Sequence, residues 1–253
     1  IAISSRNRKL IYNPHGFSFL NEEISKKKRI IYKLIEKILT FRKCTIVGCS
    51  QGEYEEAIKL SKSSVLINNG ININKLEKET KNLKQKKIDY DNLKICTIGR
   101  IAYQKNPKLF NKIAEAFPNL KFTWIGEGEL KKELYSKNIT VTGWKTRSEA
   151  MKILCENDIF ILTSYGEGLP ISLLEAMYMK KVCIVSNVIG NKDVIKDNEN
   201  GFIAEDLEQF KNKIMRINEK KYIEIAEKAK NNAIDEFDID IMVKKYINLY
   251  GDN

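Results

Sequence analysis

A chain of 253 residues that is 43% hydrophobic and 30% charged is long enough for one large globular domain or two smaller ones, and this composition excludes a disordered protein. Its 44 Lys and Arg against 33 Asp and Glu give a formal net charge of +11, which makes phosphorylated ligands, anionic membrane surfaces and nucleic acids candidate partners. Zinc-finger spacing and RNP-like aromatic motifs are absent and no apolar run reaches about 18 residues, so we expect neither nucleic-acid binding nor a membrane-spanning helix.

Three predicted strands lie in the first 74 residues. They fall within KLIYNPHG (9–16), CTIVGCS (44–50) and SVLINNG (64–70), with helical stretches between them. Three strands are too few for a complete parallel-sheet domain. We therefore interpret residues 1–74 as the C-terminal part of such a domain.

The segment 22–43, EEISKKKRIIYKLIEKILTFRK, lies between the first two of these strands and contains eight basic residues. Its apolar residues recur at three- and four-residue steps, which predicts an amphipathic helix with a basic face. Two interpretations stay open. Either the basic face is the solvated side of a helix whose apolar side packs in the core, or the segment contacts an anionic membrane surface, where each basic residue gains about 1 kcal/mol.

Strands and helices alternate clearly after residue 92. Strands are predicted in LKICTIG (93–99), LKFTWIG (120–126), ITVTGW (139–144), DIFILTS (158–164), KVCIVSN (181–187) and GFIAE (201–205). Helical spacing occurs in KNPKLFNKIAEAF (105–117), GELKKELYS (128–136), RSEAMKILCEN (147–157) and PISLLEAMYMK (170–180). Short apolar strands joined by single helices pair in parallel with right-handed crossovers, so we predict an α/β fold with a doubly wound sheet.

These elements divide the chain into four parts. We predict the C-terminal part of an N-terminal Rossmann-like domain over 1–74, a polar link over 75–92 and a whole Rossmann-like domain over 93–234. A terminal helix over 235–253 is expected to cross back to the first domain.

Three loops of the second domain follow strand ends, where ligands bind in open α/β sheets. They hold six candidate ligand-binding residues: Gly99, Arg100 and Lys105 in the first loop, Gly126 in the second, and Gly168 and Leu169 in the third. Two cations beside helix N-termini suit a diphosphate. Pro170 suits the first helical position, which leaves the two backbone amides before it able to face an anion.

The five cysteines are odd in number, form no C-x-x-C pair and lie mostly inside apolar runs such as KICTIG and VCIVSN. Reduced, buried thiols are typical of the cytoplasm and argue against a disulfide framework or a zinc site. We expect a cytoplasmic protein, peripheral on the inner face of the cell membrane if the segment 22–43 binds lipid.

Six motifs, taken in chain order, resemble those of the family 4 glycosyltransferases, which are retaining enzymes of the GT-B fold. The motifs are NNGIN (68–72), GRIAYQKNP (99–107), WIGEGEL (124–130), VTGW (141–144), EGLPISLLE (167–175) and SNVIGNKDVIKDNENGFIAED (186–206). The fifth has the spacing of the family's E-x7-E signature. The match covers nearly the whole chain, and because the chain starts without Met we expect that the front of the N-terminal domain is missing.

The resemblance implies a role for each candidate residue. Glu167 would face the donor sugar, and Glu175 would accept hydrogen bonds from the ribose hydroxyls, since one carboxylate can accept two donors. Arg100 and Lys105 would hold the diphosphate and stabilise charge on the leaving group, together with the two amides before Pro170. The single histidine, His15, would reach across the cleft and orient the donor sugar.

By the same resemblance, the enzyme moves a sugar from a UDP-, GDP- or dTDP-sugar to a saccharide or lipid-linked acceptor hydroxyl with retention. The implied setting is the synthesis of capsular or exopolysaccharide, lipopolysaccharide or glycolipid in bacteria. No cofactor and no metal are expected. Asp238 and Asp240 form a D-x-D sequence, but they precede the terminal helix, so we interpret them as helix capping. Two alternatives stay open: an incomplete or inactive GT-B protein that binds nucleotide sugar without transfer, and a GT-B nucleotide-sugar epimerase.

Overall fold

The structure is a computed structural model that describes residues 10–20, 24–40, 44–83 and 88–251. The ends of the predicted helix 22–43, part of the link 75–92 and both chain termini lie outside the described residues. The first part of the chain contains β1 (Leu10–Tyr12), α1 (Lys26–Thr40), β2 (Cys44–Gly48), α2 (Gln51–Leu60), β3 (Ser64–Leu66) and α3 (Ile73–Thr80).

The second part alternates strands and helices and ends in three helices. Its elements are β4 (Lys94–Ile98), α4 (Pro107–Ala116), β5 (Lys121–Ile125), β6 (Ile139–Val141), α5 (Arg147–Cys155), β7 (Ile159–Leu162), α6 (Ile171–Tyr178), β8 (Val182–Ser186), β9 (Phe202–Ala204), α7 (Leu207–Met215), α8 (Glu219–Phe237) and α9 (Ile239–Gly251). Each of the predicted strands is present, because each is a short apolar run that can be buried in a sheet.

The larger sheet has the strand order β6-β5-β4-β7-β8-β9, and all its described pairs are parallel. Every residue of β7 and β8 is buried, which explains their unbroken apolar sequences. The order reverses direction between β4 and β7. In a doubly wound sheet, such a reversal opens a crevice outside the carboxyl ends of the strands, and ligands bind there.

The smaller sheet has the order β1-β2-β3 and is also parallel. It is joined to the C-terminal helices near Ile71, whose amide donates to the carbonyl of Phe237 at 2.8 Å and whose carbonyl accepts from the amide of Ile239 at 2.9 Å. On α9, the hydroxyl of Tyr246 accepts a hydrogen bond of 2.8 Å from the side chain of Asn13. The terminal helix therefore contacts the first part of the chain. The division into domains stays a prediction.

Some predicted element boundaries differ from the structure. The link 75–92 begins inside α3, whose Leu76 is fully buried, and the terminal element 235–253 begins in the last turn of α8. Asp238 separates α8 from α9, and its carboxylate accepts from the amide of Asp240 at 3.1 Å. This contact is the predicted capping.

The helix predicted over 128–136 is wrong, because only a short 3-10 turn forms at Lys131–Glu133. Asn111 on α4 explains the difference, since its side-chain oxygen accepts hydrogen bonds from the amides of Tyr135 and Ser136 at 2.9 and 2.8 Å. These amides would otherwise donate within a helix. Pro170 is also shifted by one position from the prediction, since α6 begins at Ile171 and Pro170 occupies the N-cap position before it.

Helix α1 does not present its apolar side to the core. Ile31, Leu34 and Ile38 are 53%, 54% and 72% exposed, whereas individual polar side chains of the helix contact the rest of the protein. Arg29 donates to the carbonyl of Phe19 at 2.9 Å, and Glu36 accepts from the hydroxyl of Tyr12 at 3.0 Å. The interpretation of α1 as a core helix with a solvated basic face is therefore wrong for this structure. Among the described residues, no helix combines the length and apolar character needed to cross a bilayer.

Candidate functional site

The loops that follow β4 and β7 meet at the reversal of strand order. The amide of Tyr165 donates to the carbonyl of Gln104 at 2.8 Å, and the Gln104 side chain donates to the carbonyl of Gly166 at 2.6 Å. The hydroxyl of Thr163, just past β7, donates to the carbonyl of Lys105 at 2.8 Å. These bonds hold the two loops at a fixed separation, so charged residues on them are brought into contact.

Lys105 and Glu167 form the central ion pair of this crevice. The ammonium Nζ of Lys105 lies 2.6 Å from Oε1 of Glu167, and their side chains are 18% and 7% exposed. The hydroxyl of Ser164 lies 2.5 Å from the same carboxylate oxygen. A buried carboxylate held by a cation and a hydroxyl is a charged, oriented group, as a catalytic site requires.

Arg100 lies on the open side of the crevice. Its side chain is 75% exposed, and its guanidinium contacts the carboxylate of Glu129 at 3.1 Å. This exposed pair contributes little to stability. The guanidinium can therefore exchange Glu129 for a ligand phosphate at low cost.

Gly99 and Gly126 stand directly after β4 and β5. Gly126 has φ +143°, and a Cβ built on it would lie 2.2 Å from the carbonyl oxygen of Gly99, so the two loops approach closely only because this residue is glycine. A cavity of about 500 Å³ opens beside them. Its lining includes Trp144, whose indole is 68% exposed, together with Arg100, Glu129 and Lys145.

Gly168 marks the place where the two parts of the chain touch. A Cβ on Gly168 would lie 3.1 Å from the Sγ of Cys49 and 3.1 Å from the backbone carbonyl carbon of His15. The side chain of Leu169 is buried, and its carbonyl accepts from the side chain of Asn69 at 3.1 Å. The exposed loop at His15 is therefore packed against the glycine that precedes α6.

A buried carboxylate from α2 holds the His15 loop. Glu53 is fully buried, and its two oxygens accept hydrogen bonds from the amide of Cys49, at 2.7 Å, and from the amide of Gly16. Since Gly16 follows His15 directly, the carboxylate ties that loop to the end of β2. Sequence analysis did not select Glu53, because both of its partners are backbone groups.

Glu175 pairs with a residue of α5, whereas Lys105 pairs with Glu167. Glu175 is 5% exposed, and its carboxylate is paired with the guanidinium of Arg147, the first residue of α5. Burial raises the pKa of Glu175 above its ordinary value, while the charge of Arg147 and the hydrogen bond from it act in the opposite direction. Arg147 also contacts the carboxylate of Glu79 on α3 at 3.3 Å.

The structure thus brings some of the sequence-predicted residues together, since Lys105 and Glu167 are in direct contact and His15 and Gly168 meet through backbone. Glu175 belongs to a separate ion-pair cluster, and the cavity after β4 and β5 is lined by Gly99, Arg100 and Gly126. Sequence analysis missed Ser164, Trp144 and Arg147. Trp144 stands in the loop that follows β6, and a tryptophan in a loop after a strand is a signal that could have found it.

Comparison with known proteins identifies the family of this chain. The sequence pattern of the family described as Glycosyl transferases group 1 matches residues 78–236. The chain is 30% identical over 277 aligned positions to an Escherichia coli protein named UDP-Gal:alpha-D-GlcNAc-diphosphoundecaprenol alpha-1,3-galactosyltransferase. That alignment covers 96% of this chain and 69% of the relative. The chain belongs to the group 1 glycosyltransferase family.

Two further proteins are similar to this chain, one in sequence and one in fold. A Campylobacter jejuni protein named N,N'-diacetylbacillosaminyl-diphospho-undecaprenol alpha-1,3-N-acetylgalactosaminyltransferase is 29% identical over 209 residues, which is 76% of this chain and 55% of that protein. The crystal structure of Anabaena HepE in complex with UDP and glucose superposes with a TM-score of 0.80 at 18% identity, covering 100% of this chain and 74% of that one. The predicted α/β fold of GT-B type is confirmed.

Proposed function

We propose that this glycosyltransferase transfers a sugar from a nucleotide-diphosphate donor to an acceptor hydroxyl with retention, as a family 4 enzyme with Glu167 and Glu175 as its E-x7-E pair. The observation that carries the proposal is the pair of Lys105 and Glu167, which stand 2.6 Å apart at the reversal of strand order. Ligands of doubly wound sheets bind at this place. The chemistry of the two groups suits the reacting end of such a donor.

Lys105 and Arg100 supply the positive charge that a diphosphate requires. When the bond between the anomeric carbon and the phosphate oxygen breaks, negative charge develops on the leaving diphosphate, and the two cations stabilise it. The acceptor oxygen then bonds to the anomeric carbon, and its proton passes to the leaving phosphate. With the charge neutralised by side chains, we propose that the reaction needs no metal and no cofactor.

Glu167 contacts the donor sugar in this proposal. Its pairing with Lys105 and Ser164 suits an acceptor of sugar hydroxyl donors rather than an attacking nucleophile. His15 faces the same sugar from the first part of the chain, on the loop that Glu53 holds. Both residues would orient the sugar, and neither would bond to it.

The nucleoside occupies the cavity beside Gly126 in this proposal, with its base against Trp144. The cavity volume of about 500 Å³ lies within the usual range for small-molecule sites. An exposed indole offers a flat face on which a base can stack. Glu175 would accept hydrogen bonds from the ribose hydroxyls.

We propose a UDP-sugar as donor and a lipid-linked saccharide as acceptor. The names of the Escherichia coli relative and of the HepE complex include UDP-Gal and UDP, respectively, and the Escherichia coli and Campylobacter jejuni names include a diphosphoundecaprenol-linked sugar. The setting would be bacterial polysaccharide or glycolipid synthesis, at the cytoplasmic face of the membrane. Saccharide acceptors, and GDP- and dTDP-sugars as donors, are the competing possibilities for the assay.

The site assignment is tested by isothermal titration with UDP-, GDP- and dTDP-sugars. We expect one donor class to bind and Glu175→Gln to weaken it tenfold or more, since hydrogen bonds to a charged group are worth about 1.5–3 kcal/mol. Glu115→Gln, at an exposed position on α4, is the matched control and should bind as the wild type does. Equal binding by Glu175→Gln and the control would remove Glu175 from the site.

Product analysis separates the competing functions. Transfer predicts a new glycosidic product that forms only when an acceptor is present and that keeps the donor's anomeric configuration, with the rate unchanged by EDTA. Conversion of the donor sugar alone would identify an epimerase. Tight nucleotide binding without any turnover would identify a binding protein that does not transfer.

We also propose that α1 contacts an anionic membrane surface. The helix exposes the apolar residues Ile31, Leu34 and Ile38 and also the basic residues Lys26 and Lys37. Together these groups suit the boundary between lipid headgroups and acyl chains. The acceptor proposed above would be held in the same membrane.

Co-sedimentation with phosphatidylglycerol vesicles tests this contact. We expect Leu34→Ser combined with Ile38→Ser to reduce binding strongly, and vesicles of phosphatidylcholine alone to bind weakly. Ile58→Ser is the control, because Ile58 is also exposed, at 46%, but lies on α2. If the double variant binds as the control does, the exposed apolar side of α1 does not contact the membrane.

A further inference from the structure

Arg147 lies between two carboxylates that come from different helices. Its Nη1 is paired with Oε1 of the buried Glu175 on α6, and its Nε lies 3.3 Å from Oε2 of Glu79 on α3. The arginine side chain is 36% exposed, whereas those of Glu79 and Glu175 are 19% and 7% exposed. The guanidinium therefore closes the outer side of a largely buried cluster of acids.

The first turn of α5 fixes the backbone from which the Arg147 side chain extends. Thr146 caps the helix, its amide donating to the carboxylate of Glu149 at 2.9 Å and its side chain accepting from the Glu149 amide at 3.4 Å. This is a capping box, which fixes the first turn of a helix. Ala150, at the end of that turn, lines the cavity that also contains Trp144.

Glu175 needs such a partner because it is buried. A carboxylate without a counter-charge in a protein interior becomes protonated. The charged groups packed around it are Arg147 from α5 and Glu79 from α3, with Lys75 3.9 Å from Glu79. From α8, Lys230 lies over the ring of Tyr178, one turn along α6 from Glu175. Arg147 is the cation that touches the Glu175 carboxylate in this group.

We propose that Arg147 is a positioning residue for the donor nucleotide, which holds Glu175 ionised and aimed and is itself anchored by Glu79. The proposal rests on the ribose-binding role proposed for Glu175. A protonated or turned Glu175 could not accept hydrogen bonds from two ribose hydroxyls at once. Loss of Arg147 should therefore weaken recognition of the ribose specifically, without touching the diphosphate-binding cations.

A comparison of UDP and GDP with their 2′-deoxy forms measures this recognition by isothermal titration. We expect the wild type to prefer the ribonucleotide, Glu175→Gln to lose the preference, and Arg147→Met to lose most of it. Arg147→Lys should retain part of it, and Glu79→Gln should reduce it slightly. Arg216→Met, at an exposed position that ends α7, is the matched control and should discriminate as the wild type does.

The pH dependence of nucleotide affinity gives a second readout, which a purely structural role of Arg147 would not change. Burial already raises the pKa of Glu175, and removal of Arg147 raises it further. The loss of nucleotide affinity in Arg147→Met should therefore be larger at pH 6 than at pH 8. An Arg147→Met variant that keeps full ribose discrimination, or whose affinity loss does not change with pH, would overturn the proposal.

The pairing itself is tested without nucleotide, by thermal unfolding. In Arg147→Met, the folded-state pKa of Glu175 lies further above its unfolded value, so the loss of Tm should grow as pH rises from 5 to 8. In a Glu175→Gln background, most of that loss should disappear. These variants form a double-mutant cycle. If the cycle shows that Arg147 and Glu175 are coupled but no nucleotide binds the wild type, the proposed function is wrong and the stabilising ion pair is confirmed. If they are uncoupled, the positioning role fails whatever the nucleotide result.

Discussion

The carboxylate of Asp193 accepts a hydrogen bond of 2.9 Å from the amide of Gly52, across the junction between the two parts of the chain. Gly52 lies in the first turn of α2, and Asp193 follows β8 in the larger sheet. The same carboxylate oxygen accepts from the amide of Gly190 at 3.0 Å. A negative charge at a helix N-terminus is stabilised by the helix dipole, so this contact holds α2 against the loop beside Gly168.

Asp193→Ala is expected to destabilise the protein by about 2 kcal/mol, since two amides lose a charged acceptor. Urea unfolding measures the change. Asp235→Ala, at an exposed position on α8, should shift the unfolding midpoint little. If the two variants unfold alike, the contact between the two parts of the chain does not depend on Asp193.

Lys105→Ala is expected to lower kcat/KM about 100-fold or more, because in the proposed mechanism it removes a cation from the charge that develops on the leaving diphosphate. Initial rates with the donor identified by titration measure the effect. Lys108→Ala is the matched control, since Lys108 is exposed on α4 and is removed from the ion pair. A Lys105→Ala enzyme with the control's activity would contradict the assigned role.

Gly126→Ala is expected to cost about 3 kcal/mol or more and to abolish nucleotide binding. The added Cβ would lie 2.2 Å from the carbonyl oxygen of Gly99, and neither backbone can move without distorting a strand end. Gly143→Ala makes an informative comparison. Gly143 has φ +71° with nothing within 4 Å of its Cβ position, so only backbone strain of about 1–2 kcal/mol is expected. Urea unfolding and UDP titration of both variants separate steric overlap from strain.

Glu53→Gln is expected to destabilise the protein by about 2 kcal/mol, because an amide group replaces one of two buried acceptors for backbone N–H groups. The freed loop should misplace His15. We therefore expect the affinity for the sugar nucleotide to fall more than the affinity for the nucleotide alone. Glu55→Gln, on the exposed side of the same helix, should change neither affinity. An equal loss for both ligands would mean that the His15 loop does not contact the sugar.

The strands of both sheets could be predicted because each depends on its own residues. An apolar run such as IFIL at β7 is buried wherever a sheet forms, and the helices between such runs require parallel pairing. Local pattern failed over 128–136, where Asn111 on another helix accepts from the amides of Tyr135 and Ser136. Periodicity also could not predict which side of α1 faces outward, since that depends on which parts of the protein pack against each side of the helix.

The amino-acid sequence by itself determined the class of the protein and the order in which the strands and their following loops occur along the chain. It also determined which residue types suited to a nucleotide sugar those loops contain. Only the tertiary structure decided which of these residues meet. Glu175 pairs with Arg147, 28 positions earlier, and not with Lys105 or Arg100, while Asp193 reaches Gly52 across 141 positions. Such contacts depend on how helices pack around the sheets. The spacing of residues along the sequence indicates such contacts only where the two partners lie within a few helical turns of one another.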